Sequence, residues 1–281
     1  NLEYLEAEFY LNAATGSGLS TADALSGAGT VTGGGTAVPL AGAPAGFSDY
    51  LNEIAQDELN HVRAIQATIT SLGGTPVARP AIDFGAFAAL GTLAGITNPA
   101  PFNPFASYTE FLLGAFVFED VGVTAYTGAA PAITSAAVLS AAAGIQAVEA
   151  YHAAFIRTSL FLIDAASPTP PSGTPTLVGL ANKISAVRAS VGGGNETPMV
   201  DAPSAAISTV VVKPPVAPST MSTTSYVTPT EAQNVACYQP TALAFARTPQ
   251  QVLNIVFATP GTGVTTGGFF PSGISGTILS S

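Results

Sequence analysis

The chain holds two histidines, His61 and His152, and each stands three residues after a glutamate, Glu58 and Glu149. With ten glutamates among 281 residues, this spacing at both histidines arises by chance in roughly one sequence in a thousand, the kind of false-positive check a short motif needs. Positions i and i+3 share one face of a helix. Each pair therefore directs a carboxylate and an imidazole at a common point, where together they can ligate one metal ion. A second echo accompanies the first. Glu3 is followed seven residues later by Tyr10, and Glu119 seven later by Tyr126; seven residues is close to two helical turns, so each Glu and its Tyr share a stripe. The order Glu3…Tyr10, Glu58-x-x-His61, Glu119…Tyr126, Glu149-x-x-His152 predicts two helical hairpins related by a pseudo-dyad, with four glutamates and two histidines around the axis. Four buried carboxylates alone would be prohibitively costly, whereas two divalent cations neutralise them.

Hydrophobic periodicity supplies the helices. Leu2, Leu5, Phe9 and Leu11 predict one over 1–14. Ile54, Leu59, Val62 and Ile65 predict a second over 47–72, with Ser48 and Asp49 as caps and Gly73-Gly74 as its stop. A third is predicted over 104–128, opening at Pro104, and an Ala-rich fourth over 131–165, opening at Pro131. Residues 15–45, nearly all Gly, Ala, Ser and Thr, read as a long surface loop, and 74–103 as a second connection carrying a short helix at 84–95. One long crossover between two hairpins is a known four-helix-bundle connectivity. The predicted fold class is all-α: a bundle over 1–166 with a loop insertion at 15–46, and a Pro/Thr/Ser-rich extension over 167–281 packed on it. Within the extension, 176–191 reads as a helix, and Val210-Val211-Val212 before Pro214-Pro215 as an extended, edge-like segment. Thr248-Pro249 reads as the capped start of a short helix carrying Val252, Leu253, Ile255 and Val256.

Composition removes several classes. A net charge of −10 excludes the phosphate-neutralising surface of a nucleic-acid binder. A charged fraction of 9% beside 47% hydrophobic residues excludes disorder of the charged kind. The most apolar helical stretches carry Glu110, Glu119, Asp120 and Glu149, which argues against a transmembrane segment. The lone Cys237 excludes an intrachain disulfide and a thiolate metal cluster, and reads as a small buried hydrophobe. Only two lysines amid abundant Ser, Thr and Pro, a sequon at Asn195-Glu196-Thr197 and a chain that opens inside a helix lead us to expect a secreted protein of a cell-wall or apoplast-like setting, N-terminally processed and glycosylated at Asn195.

Around the predicted metal ligands Glu3, Glu58, His61, Glu119, Glu149 and His152, some roles stay open. Glu6 lies one turn from Glu3 and is the alternative ligand, the seven-residue match to Tyr10 favouring Glu3; Glu8, on another face, is expected to be solvated. Tyr10 and Tyr126 could line the site, donate to a ligand carboxylate or pass an electron, or be core aromatics with wet hydroxyls. Asp57 and Asp120 neighbour ligands in sequence and could orient an imidazole, or be solvated or capping carboxylates.

Glu plus Glu-x-x-His, repeated once, resembles the di-metal signature of the ferritin-like superfamily. More narrowly, the segments Asn1-Leu2-Glu3-Tyr4-Leu5-Glu6-Ala7-Glu8-Phe9-Tyr10, Phe118-Glu119-Asp120-Val121-Gly122-Val123-Thr124-Ala125-Tyr126, Arg247-Thr248-Pro249-Gln250-Gln251-Val252-Leu253-Asn254-Ile255-Val256 and Gly267-Gly268-Phe269-Phe270-Pro271 are similar to the plant and algal desiccation-related proteins, over nearly the whole chain except 15–45. Oxygen and nitrogen donors of this kind suit iron or manganese, with zinc able to enter during purification. The expected activity is reaction of two such ions with dioxygen or peroxide, ferroxidase-like or catalase-like, and the resemblance implies a stress-protection role. A different class stays open: a secreted structural or protective protein of a homo-oligomer or matrix, its site empty or a structural staple. Iron storage in a hollow shell fits poorly with the long insertions and the extension.

Overall fold

The computed structural model describes residues 1–96, 101–166, 175–199 and 243–281. The segment 210–215 and Cys237 lie outside them. Four helices form the bundle: α1 (Leu2–Thr15), α3 (Phe47–Ser71), α5 (Tyr108–Ala129) and α6 (Ala136–Ala166). α1 packs most extensively on α3 and α5 on α6, and the two hairpins are joined by the long connection from α3 to α5. This is the expected all-α architecture with its crossover.

The helices differ in how they are covered. α1 and α5 are buried almost all round, with Tyr4, Leu5, Phe9, Phe111, Phe116 and Phe118 among their core residues. Phe9 sits at the hub of an aromatic cluster, its ring 5.1–6.1 Å from those of Tyr10, Phe84, Phe87, Phe105, Phe111 and Phe118. Such offset and edge-on contacts add to the burial of the rings themselves. α3 and α6 instead bury a single stripe, which on α6 is Glu149, His152, Ala153, Ile156, Arg157 and Leu160.

Several boundaries differ from the sequence reading, each for a local reason. α3 starts after Gly46, whose φ of 84° suits glycine, so Ser48 and Asp49 fall inside the first turn instead of capping it. α5 starts at Tyr108, not at Pro104, because the Ser107 hydroxyl accepts from the Glu110 N–H and caps the helix there. Residues Ala130–Ala132, with Pro131, form one 3₁₀ turn, and α6 begins only at Ala136. The Gly-rich stretch after α1 is tied down more than a plain surface loop would be. It holds a one-turn helix α2 (Thr21–Ala24) and a strand β1 (Val31–Thr32) that pairs in parallel with β2 (Ile82–Asp83). The Asn12 side chain also accepts from the Gly35 N–H at 2.7 Å.

The crossover carries α4 (Ala86–Leu93). Beyond the bundle, α7 (Leu177–Val191) packs on α5 and α6, and α8 (Pro249–Val256) on α5 and α7. Thr248 and Gln251 close a reciprocal capping box at the start of α8. Phe269 and Phe270 belong to the same hydrophobic cluster as Phe9 and Phe118. Gly128 allows this docking, since a Cβ there would collide with the Arg247 carbonyl. Among the described residues, no helix is long and apolar enough to cross a membrane.

Candidate metal centre

One carboxylate from α1, one from α5 and a carboxylate–imidazole pair from each of α3 and α6 meet inside the bundle. Glu3, Glu58, His61 and Glu149 each offer a ligand atom within 4.8 Å of the others, and so do Glu58, Glu119 and His152. Glu58 is common to both groups. Its Oε2 lies 3.3 Å from His61 Nδ1 and its Oε1 3.0 Å from His152 Nδ1. His61 Nδ1 also lies 3.4 Å from Glu3 and from Glu149, and His152 Nδ1 3.6 Å from Glu119. The two imidazole rings are 6.3 Å apart, centre to centre, within the span of two ions ~3.5–4 Å apart.

Among the described residues, one of these contacts is a hydrogen bond, that between His61 Nδ1 and Glu58 Oε2; the other contacts leave their atoms unsatisfied. Glu3 Oε2, Glu58 Oε1, Glu119 Oε2, both oxygens of Glu149 and His152 Nδ1 are buried with no hydrogen-bond partner among the described residues. Glu58 Oε1 and His152 Nδ1 are 3.0 Å apart yet misaligned for a bond. Buried orphans of this kind are rare and call for an explanation such as an ion. Six such atoms facing common points without a bond of their own are what cations need, so the residues present fit divalent metal. Four carboxylates and two neutral imidazoles balance two such cations in charge.

Titration tells the same story. Burial opposes charge on both imidazoles, but Glu149, Glu3 and Glu58 push His61 up to about 12, and Glu119 and Glu58 push His152 up to about 11. Burial, then Glu58 and other carboxylates, drives Glu149 well above the ordinary range; burial also raises Glu119. Glu58, although buried, is held below it by the two imidazoles. Without cations the cluster thus retains protons in their place. Metal ligands must be deprotonated, so loading would release them.

The surrounding residues complete the pseudo-dyad in a crossed manner. The Tyr10 hydroxyl donates to Glu119 and the Tyr126 hydroxyl to Glu3, so each tyrosine serves the glutamate of the opposite hairpin. Burial raises both phenols, which keeps them protonated donors. Asp57 Oδ2 lies 3.3 Å from His152 Nε2, where it can accept that N–H and leave Nδ1 facing the cluster. Asp120 does otherwise: it faces no imidazole but accepts from Arg157 and Arg188 at 3.0 Å each, and these two cations hold it below the usual range against its burial. Arg188 and Arg247 also grip Glu196, while Arg188, through Asp120, links the extension to α5. Glu6 is buried beside the cluster but outside both groups. Glu8 is buried, not solvated, and pairs with Arg79 of the crossover. Gly122 is a site residue that motif spacing does not reveal: a Cβ there would collide with the Glu149 carboxylate. An isolated glycine inside an apolar helix was the available signal.

Residues 1–162 match the family model described as Ferritin-like domain, and the chain belongs to that family. It is 35% identical over 199 residues, 68% of this chain, to the desiccation-related protein PCC13-62 of Craterostigma plantagineum, of which the match spans 59%. It is also 28% identical, over 99% of its length and 81% of the relative's, to the ferritin-like catalase Nec2 of Nesocodon mauritianus. No solved structure matches the chain.

Proposed function

We propose that this chain binds two divalent ions, iron or manganese, and disproportionates hydrogen peroxide to water and dioxygen in a protective role against oxidative stress. One observation carries the reading: two groups of buried donors share Glu58, and six of their atoms lack any other partner. When bound, the ions would supply two-electron redox chemistry and a paired oxygen-binding face. Glu3, Glu58 and Glu149 with His61 would hold one ion; Glu58, Glu119 and His152 would hold the other. Tyr10 and Tyr126 fix the carboxylates of Glu119 and Glu3 by donating to them, and Asp57 fixes His152. The donors themselves are buried, which would strengthen their hold on a cation. The name of the Nesocodon relative supports peroxide over dioxygen as substrate.

The test is oxygen evolution from hydrogen peroxide by metal-loaded protein, with a chelated control and the Glu58→Ala variant. Evolution that follows ion content and vanishes in the variant supports the proposal; a loaded wild type without it refutes peroxide turnover and leaves the ions a structural role, as in the structural reading of a matrix or homo-oligomer component. We further propose secretion and a glycan at Asn195, whose side chain is exposed in the described chain; intact mass before and after deglycosylation of native material decides the glycan.

A further inference from the structure

A cavity of about 330 Å³ opens from the surface towards the Glu3 side of the centre. Peroxide, with two oxygens, needs on the order of two water volumes, ~60 Å³, whereas a dry cavity of about 150 Å³ already takes a benzene ring. The space is therefore several times larger than peroxide requires and falls at the lower end of small-molecule pockets, ~300–1,000 Å³. Its walls are aliphatic: Ile65 from α3, Ala125 from α5, and Val252 and Leu253 from α8, with Ile274 and Ile278 also lining it.

The polar end is specific. Glu3, Glu6 and Tyr126 line it. Glu3 and Tyr126 are engaged with each other. Glu6 is 5% exposed, lies outside both donor groups and has no hydrogen-bond partner among the described residues. Its oxygens are not sealed in the bundle but reach the cavity, where a ligand can supply a hydrogen-bond partner. Arg247 also lines the cavity, its guanidinium held by Glu196 and Thr124. A carboxylate would meet Glu3 and Glu6, and an ammonium would have to shed its hydration against the aliphatic walls, so a neutral molecule fits better than either ion.

We propose that this cavity binds a neutral apolar alcohol of roughly 10–13 heavy atoms, its hydroxyl donating to Glu6 and its hydrocarbon body against α5 and α8. This goes beyond peroxide turnover and does not depend on bound metal.

The experiment is calorimetric titration of the full chain, metal-free and metal-loaded, with 4-butylphenol, and with butylbenzene as the analogue lacking the hydroxyl. The expected result is one saturable site per chain in both forms, with butylbenzene binding about ten-fold more weakly for want of one hydrogen bond. Glu6→Leu should reduce 4-butylphenol to the level of butylbenzene. Ala125→Phe should fill the cavity and remove binding, and Ala129→Phe, at an exposed lining position, should do so without touching the core; melting curves verify that each variant folds. No saturable binding of 4-butylphenol to wild type, or binding that survives in both folded phenylalanine variants, overturns the proposal. Since binding is read without metal or peroxide, its failure and a failure of peroxide turnover are told apart.

Discussion

Glu149→Gln separates the fold from the metal. Glu149 is fully buried, both its oxygens lack hydrogen-bond partners among the described residues, and burial, then Glu58 and Glu119, raises its carboxyl well above the ordinary range. In the metal-free chain the amide keeps the shape of the carboxyl group and brings no charge to bury. The new cost is one extra buried N–H, about 1–3 kcal/mol at most. In the loaded chain the carboxylate must be an anion, and the amide cannot replace it. At free metal 100 times Kd, binding to the native state adds about 2.7 kcal/mol, or roughly 5–11 °C at ~2–4 °C per kcal/mol. A hundred-fold loss of affinity, the upper end for disturbed ligand surroundings, leaves RT ln 2, about 0.4 kcal/mol, at the same metal concentration. Scanning calorimetry of both proteins in chelator and in manganese reads both numbers. The reasoning is refuted if the variant gains as much from metal as wild type does.

Tyr10→Phe and Tyr126→Phe each remove a donor to a glutamate of the opposite hairpin; metal affinity by equilibrium dialysis should fall about 10–100-fold, with melting shifts small beside that of Asp120→Ala. Asp120→Ala removes the carboxylate shared by Arg157 and Arg188; denaturant titration should show a loss of about 3–5 kcal/mol, while ion content stays at the wild-type value. The metal-free chain should melt at lower temperature as pH rises from 6.5 to 9. His61 and His152 have folded values raised from 6.5 to about 12 and about 11, so the stability they contribute is complete below 6.5 and is lost as pH climbs towards those values. Loaded protein should not share this decline, since ions replace the protons; a metal-free melting temperature that rises over this range counts against the retained-proton picture.

What the sequence made legible was local. Glu58 with His61, and Glu149 with His152, are one turn apart on their own helices, so helix geometry alone sets each pair facing one way. The seven-residue spacing linked Glu3 to Tyr10 and Glu119 to Tyr126, but it could not reveal that the hydrogen bonds cross between hairpins, because that depends on how α1 meets α5. The partners of Glu8 and Asp120 stay hidden in the sequence for the same reason. Those partners, Arg79 for the first and Arg157 and Arg188 for the second, are far away in sequence, and pairing across that distance leaves no periodic trace. The start of α5 was displaced because Ser107 and Pro104 both offer plausible openings, and only the hydroxyl contact with the Glu110 N–H decides between them. Gly122 joins no spacing motif for want of a side chain, and only its place as a glycine inside an apolar helix hints that its lack of one makes room for Glu149.

The two donor groups that share Glu58 would hold two ions. Anomalous diffraction at the manganese and iron edges, from crystals of metal-loaded protein, tests this most directly. Two peaks ~3.5–4 Å apart are expected, one beside His61 and one beside His152, with Glu58 near both. A loaded crystal with no peak among these residues, or with one confined to the protein surface, would contradict it.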